Sequence, residues 1–280
     1  MEIASPTSFS HLVQLVNQSK NPRLFNIPSP RLQILRGTIV QHAALCASAA
    51  AHAPALRMHS TSRVLQFASY TFDASVVEIL TTLSLGGTVC VPSEEDRLNN
   101  ITEVIRSMNI TWTLLTPSVI QLIQPSSIPS LRTLVLGGEA LSQSHIDTWA
   151  TELELINAYG PSECAVIATA NPYVTLSTNS NNIGRAVGSH AFVVDKNNHN
   201  RLAPLGASGE LVFEGPILAA GYLRNDTKTA EVFIENPSWM NQYGAHSRRS
   251  KTRIYKTGDI VKYAPDGNLI FCGRKDTQVK

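Results

Sequence analysis

The sequence predicts an α/β protein, a parallel-rich sheet flanked by helices and followed by a distorted antiparallel β-barrel or sandwich. Three observations carry the prediction. Between about residues 36 and 170, short apolar runs of strand length alternate with amphipathic or Ala-rich runs of helix length. Beyond about Pro172 the chain turns to short β-prone runs separated by Gly, Pro and Asn. A 280-residue chain with 43% apolar residues can also bury one large core or two moderate ones.

Along the chain, residues 1–35 have weak periodicity, with a short helix expected at about 11–17 and loop through Asn21-Pro22 and Ile27-Pro28-Ser29-Pro30. The Ala-rich stretch 41–53 suits a helix that stops before Pro54. A strand at 64–69, a helix at 75–85 closed by Gly86-Gly87, and a strand at 88–91 follow. Helices at 101–108, 117–123 and 142–151 then alternate with strands at 111–115, 133–136 and 154–157. Such alternation implies parallel strands, and in parallel sheets ligands gather beyond the carboxyl ends of the strands. Two strand-exit turns, Gly137-Gly138-Glu139 and the turn at 158–163, should therefore share one rim.

In the second part, strands are expected at 191–195, 209–214, 254–256, 261–263 and 269–272, with Asp266-Gly267 as a hairpin turn. The polar tract 177–182 and the basic stretch 246–251 are expected as solvated loops. The organisation anticipated is a segment 1–35, a sheet subdomain 36–170, a barrel-like subdomain 171–274, and 275–280 as a hinge into a further domain.

Net charge is +2 over 44 charged side chains, too weak a field to argue for nucleic acid or a membrane surface as partner. Cys46, Cys90, Cys164 and Cys272 are far apart and suggest neither a disulfide framework nor zinc. His42, His52 and His59 lack acidic companions at ligand spacing and are expected at the surface or in packing. Without a leader pattern or a run of about 18 apolar residues, a cytoplasmic location is expected.

The densest chemistry lies in Asn157-Ala158-Tyr159-Gly160-Pro161-Ser162-Glu163. Tyr159 can stack on a purine, Gly160 admits close backbone approach, and Ser162 and Glu163 can offer oxygens to a phosphate and its magnesium. A polar loop leaving a buried strand is the competing interpretation. Phe72-Asp73-Ala74-Ser75 precedes this heptad. After it come 209–215 (GELVFEG), Gly221-Tyr222-Leu223, Tyr255-Lys256-Thr257-Gly258-Asp259, and 273–280 (GRKDTQVK). In this order the set resembles the adenylation domains of nonribosomal peptide synthetases, within the superfamily of adenylate-forming ligases. The resemblance covers about 36–280.

The resemblance implies ATP-dependent activation of an amino acid as its aminoacyl-AMP. It implies that Tyr159 stacks on adenine, that Gly137, Gly138, Asn157, Ala158 and Gly160 line the nucleotide, and that Phe271 stands near it. Ser162 would reach the α-phosphate, Glu163 would carry magnesium, and Asp259 would take the ribose hydroxyls with Arg274 beside it. Asp73 would pair with the substrate ammonium, although Asp73 or Ser75 could equally cap the helix that follows. Ala74, Val77, Leu114, Val135 and Gly137 would line the substrate pocket, joined by Ala158, Val166 and Ile167. All are apolar or small, so a hydrophobic amino acid is expected, with Gly137 and Ala158 leaving room at depth. ATP and Mg2+ are the implied cofactors, with phosphopantetheine on a peptidyl carrier domain of a parent synthetase, outside this chain.

Where the family has a glycine-rich phosphate loop, this sequence has Ile27-Pro28-Ser29-Pro30-Arg31-Leu32-Gln33-Ile34-Leu35, without glycine. Neither the catalytic-lysine domain nor a carrier domain falls within the 280 residues, so a partial domain of weak or no activity is expected. The alternatives are a non-catalytic adenylate-binding remnant and an acyl-CoA synthetase-like ligase.

Overall fold

The computed structural model describes residues 25–28, 37–240 and 252–275. The helix expected at 11–17, the basic stretch 246–251 and most of the hinge lie outside the described residues. The strands are β1 (Phe25–Pro28), β2 (Gly37–Val40), β3 (Arg63–Leu65), β4 (Thr88–Cys90) and β5 (Trp112–Leu115). There follow β6 (Thr133–Leu136), β7 (Glu154–Tyr159), β8 (Thr169–Asn171), β9 (Asn182–Ala186) and β10 (His190–Val194). The remainder are β11 (Gly209–Glu214), β12 (Gly221–Tyr222), β13 (Phe233–Glu235), β14 (Arg253–Tyr263) and β15 (Leu269–Arg274).

Strands β4-β3-β5-β6-β7 run parallel, as the alternation predicts. At β8 the direction reverses, and β8, β9, β15, β14, β11 and β10 continue antiparallel. The second-half strands do not close into a barrel among the described residues. Because β8 pairs with β7 and β9 pairs with β15, they splice the two halves into one 12-stranded sheet. Phe25–Pro28, expected as loop, is a strand paired antiparallel to β2. Its proline is tolerated because β1 is the edge of a three-stranded sheet, β1-β2-β12.

The middle parallel strands are buried throughout, as strands covered on both faces must be. Leu134 and Leu136 of β6 pack with Ile105, Ile120 and Trp149, while Val135 points the other way into Val64, Trp112 and Ile156. Each such side chain contributes about 1.5–3 kcal/mol by leaving water.

Helix His42–Ala55 runs past the expected stop and takes Pro54 into its last turn. The amides of Leu56 and Met58 reach the His52 and Ala53 carbonyls, so the proline's missing N–H falls where the helix is closing. The helix expected at 75–85 is three pieces, Ala74–Val76, a π-helical Val77–Thr81, and Thr82–Ser84. A short helix at Glu94–Asn99, capped by Ser93, was not anticipated.

Within the π-helical piece Glu78 is fully buried and accepts the amides of Phe67 and Ala68, tying down the segment that leads to Asp73. Burial pushes its carboxyl up to about 8 against those amides, which favour the ionised form. Thr81, on the same piece, meets buried His52. Burial pushes the His52 imidazole down to about 4.

Two predictions follow from these contacts. Gly184 has φ +77°, and a Cβ there would lie 1.9 Å from the Ala170 carbonyl oxygen where β9 crosses β8. Gly184→Ala should cost more than about 1 kcal/mol, seen as a lower urea midpoint. For His52, the unfolded chain binds a proton below about pH 6.5 that the folded protein excludes down to about 4. Its contribution is therefore complete above pH 6.5 and lost on acidification through 4, on the order of 3 kcal/mol in all. Urea unfolding at pH 7 and 4.5 should show a smaller decline in His52→Gln than in the parent.

Candidate active site

Beyond the carboxyl ends of β6 and β7 lies a cavity of about 490 Å³. Its walls are the β6 exit from Gly138 to Leu141, the β7 exit from Asn157 to Gly160, the segment Ser180, Asn181 and Ile183, and Phe271, Gly273 and Arg274 of β15. Of the residues expected around a nucleotide, Gly138, Asn157, Ala158, Tyr159, Gly160, Phe271 and Arg274 come to this one place, whereas Gly137, Ser162, Glu163 and Asp259 are not part of its lining. A larger cleft, about 1430 Å³, is lined by Tyr173, Leu205, Arg185 and Lys262 among others and holds none of the anticipated site residues.

Tyr159 ends β7, 9% exposed, and stacks on Phe213 with ring centroids 6.5 Å apart. Its hydroxyl donates a short hydrogen bond to Asp259 Oδ2, and Arg274 Nη1 donates to Asp259 Oδ1 at 2.8 Å. Burial, then the Asp259 charge, pushes the Tyr159 phenol well above its ordinary range, so the phenol keeps its proton. Asp259 is 1% exposed. It reaches this position because β14 bulges against β11, where Glu210 and Val212 face Ile260 and Lys256. Gly258, at φ +73°, makes the bulge, Thr257 Oγ1 bonds the Leu211 carbonyl, and the Gly258 amide donates to Glu210. The two runs expected at 254–256 and 261–263 are therefore one continuous strand with a bulge that turns Asp259 towards Tyr159.

Asn157 is buried, and its Nδ2 donates to the Asn182 carbonyl at 2.8 Å. Ser180 and Asn181, expected in a solvated loop, line the cavity because β9 begins at Asn182 and pulls the tract against β15.

The turn after β7 carries Ser162 and Glu163 on a 3-10 turn, Ser162–Cys164, followed by two left-handed residues, Ala165 (φ +50°) and Val166 (φ +80°). Gly160 permits this path, since a Cβ there would sit 2.0 Å from the Val166 carbonyl oxygen. Ser162 Oγ donates to Asp73 Oδ2 at 2.5 Å. Burial raises the Asp73 pKa most, the Ser162 hydrogen bond lowers it, and the nearby Glu163 charge raises it. Among the described residues no cation stands against Asp73. It makes no side-chain cap to the helix at Ala74, and Ser75, expected as a cap, instead donates to the Phe72 carbonyl from inside the helix.

Val77, Leu114, Val135, Ala158, Val166 and Ile167 meet in one buried cluster, with Ala74 packed on it. Gly137 does not open room there, because a Cβ on it would lie 2.8 Å from the Ala158 carbonyl oxygen. Its missing side chain lets two strand exits pass closely.

Glu163 Oε1 accepts from the Tyr222 hydroxyl at 2.5 Å. Tyr222 belongs to the Gly221-Tyr222-Leu223 motif but was not anticipated at the site, since spacing alone does not bring β12 to Glu163. Among the described residues no group of three His, Cys, Asp or Glu could hold a metal. Magnesium takes one or two carboxylates together with substrate phosphates and water, so a three-ligand protein cluster is not required for it. Among the described residues no helix is long and apolar enough to cross a membrane.

A family model described as AMP-binding enzyme matches residues 36–223. Nonribosomal peptide synthetase 4 of Gibberella zeae is 56% identical over 245 residues, which are 88% of this chain and 3% of that protein. N-benzoylphenylalaninol synthetase of Penicillium brevicompactum is 53% identical over 245 residues, 88% of this chain and 10% of that protein. A Vibrio cholerae adenylation domain solved with glycyl-adenosine-5'-phosphate shares the fold at TM-score 0.76 and 27% identity, over 96% of this chain and 51% of that one. The chain belongs to the AMP-binding enzymes, among the adenylation domains of nonribosomal peptide synthetases. It spans a small fraction of those curated relatives and about half of that solved domain.

Replacing Tyr159 by Phe deletes the hydroxyl donor to buried Asp259 and should lower unfolding free energy by about 1–3 kcal/mol. Chemical denaturation of the variant beside the parent measures it.

Proposed function

We propose that the cavity and the apolar cluster beside it bind one ligand, an AMP moiety joined to a hydrophobic amino acid, the product of ATP-dependent carboxylate activation. The observation that carries this reading is that Tyr159 and Arg274 line one cavity and both hydrogen-bond Asp259, while Asp73, bonded by Ser162, precedes Ala74 on the apolar cluster.

Tyr159 and the backbone of Gly138 and Gly160 flank the base, with Asn157 at its edge. Asp259 offers acceptor oxygens to the ribose hydroxyls in place of its bonds to Tyr159 and Arg274. Ser162 stands between the phosphate and Asp73, and Arg274 supplies donors to the phosphate side. Glu163, oriented by Tyr222, would hold magnesium, which when bound neutralises charge on the phosphates. The bond formed joins a carboxylate oxygen to the α-phosphorus, and the bond broken frees pyrophosphate. Asp73 is the residue that favours an amine-bearing acid. A carboxylate raised by burial, with Glu163 as its charged neighbour, gains most from an arriving ammonium.

The apolar cluster supports a hydrophobic side chain, and a relative 53% identical is named N-benzoylphenylalaninol synthetase. Transfer to phosphopantetheine on a carrier domain outside this chain belongs to the same proposal, as does a cytoplasmic setting.

The test is calorimetry with non-hydrolysable adenosine sulfamides of phenylalanine or leucine and of their desamino analogues. The parent should prefer the amino compounds by about 10–100-fold, a charge-assisted hydrogen bond's worth, and Asp73→Ala should bind both forms alike. Equal affinity in the parent points instead to an acyl-CoA synthetase-like ligase. Amino-acid-dependent ATP/pyrophosphate exchange separates a catalyst from an adenylate-binding remnant.

A further inference from the structure

Behind the turn that carries Ser162 and Glu163 stands a buried polar chain whose members lie outside the site. His52 is fully buried, with Nδ1 3.2 Å from Ser48 Oγ and Nε2 3.0 Å from Thr81 Oγ1. Ser48 Oγ in turn donates to the Ala165 carbonyl at 2.8 Å. Ser48 and Thr81 are each 1% exposed, so water does not compete for these bonds.

Proton accounting sets the direction of the chain. A serine hydroxyl has one proton, and Ser48 spends it on the Ala165 carbonyl, which can only accept. The contact from Ser48 to His52 therefore needs a proton on Nδ1. A neutral imidazole with Nδ1–H has an accepting Nε2, so the Thr81 hydroxyl must donate to it. Neutrality agrees with the depressed His52 pKa. The bonds run one way, from Thr81 to His52, then Ser48, then the Ala165 carbonyl.

Both ends of that chain sit on local irregularities. Thr81 closes the π-helical piece that begins with Val77, and Ala165 with Val166 forms the left-handed pair. A β-branched residue at φ +80° is an outlier that persists only where its surroundings over-determine it. The Ala165 carbonyl also accepts the Ile167 amide at 3.2 Å, and the turn is further restrained by the Ala165 amide on the Ser162 carbonyl, the Ala168 amide on the Tyr159 carbonyl and the Ala219 amide on the Glu163 carbonyl.

We propose that His52, in its Nδ1–H form, is a positioning residue that acts through Ser48 to lock the Ala165-Val166 turn and so set where Ser162, Glu163 and the pocket wall at Val166 stand. The ligand-binding part of this inference rests on the adenylate reading above; the proton assignment and the turn geometry do not.

The experiment uses Ser48→Ala, Ser48→Thr and Thr81→Val in the 280-residue chain, read by NMR and by calorimetry with the phenylalanine adenosine sulfamide. Nitrogen-15 shifts of the His52 ring should show Nδ1 protonated and Nε2 bare in the parent. Ser48→Ala should displace the amide resonances of residues 162–167 and leave those of β5 and β6 in place, and should weaken the sulfamide about tenfold. Ser48→Thr, which keeps the hydroxyl, should restore both, whereas a merely space-filling Ser48 would leave Thr no better than Ala. Thr81→Val keeps the shape and removes the donor to Nε2, and serves if Ser48→Ala does not fold. It should move the His52 Nε2 resonance and weaken the sulfamide by about threefold. An Nε2–H parent, or a Ser48→Ala protein with unmoved 162–167 resonances, overturns the proposal. A parent that binds no sulfamide but shows the Nδ1–H ring and the shifted turn sinks the adenylate reading and leaves the relay standing.

Discussion

The close crossing of Gly160 and Val166 is the constraint on which the rest of the structure depends. Only a residue without a Cβ can lie against the Val166 carbonyl as Gly160 does. That contact folds the nine residues between Tyr159 and Thr169 into a compact turn, so β8 returns antiparallel beside β7. There the sheet passes from parallel to antiparallel order, and through β8 and β9 the two halves share a ladder. The same turn presents Ser162 to Asp73 on one side and Glu163 to Tyr222 on the other. Fold and site hang on one backbone path.

That path is strained. Two non-glycine residues in the left-handed region cost about 1–3 kcal/mol each, and the turn is held by bonds from two other segments and by bonds of its own. Ser48 reaches it from the first described helix, Ala219 from the segment before β12, and Ala168 from within. Arg253 extends the support by donating to the carbonyls of Ala219 and Ala220 while its guanidinium lies 4.0 Å from the Phe233 ring centroid. The polar residues that look idle from the cavity are thus the ones that hold the turn beside it.

Much of this was legible in the sequence, and for definite reasons. The β5, β6 and β7 runs are continuous apolar stretches bounded by turn residues, so their period and length leave little choice. The heptad from Asn157 to Glu163 and the Thr-Gly-Asp at 257–259 bring their chemistry with them. What escaped was set by partners distant in the chain. Pro54 stays helical because Leu56 and Met58 find carbonyls, the 177–182 tract is drawn to the cavity by β9, and the second-half strands join the main sheet instead of closing on themselves. Tyr222 is a plain strand residue until β12 pairs with β2 and brings its hydroxyl to Glu163.

By itself the sequence determined the class of fold, the parallel order of the first half and the inventory of candidate side chains at the sheet's rim, because hydrophobic period and local backbone chemistry are properties of short segments. The tertiary structure alone decided that Gly137 serves a backbone crossing instead of an open pocket, that Asp259 is engaged by Tyr159 and Arg274, and that His52 stands behind the Ser162 turn. Those outcomes depend on which atoms come within about 3 Å across tens of residues, and hydrogen bonds and excluded volume at that range are fixed only when the sheet is assembled.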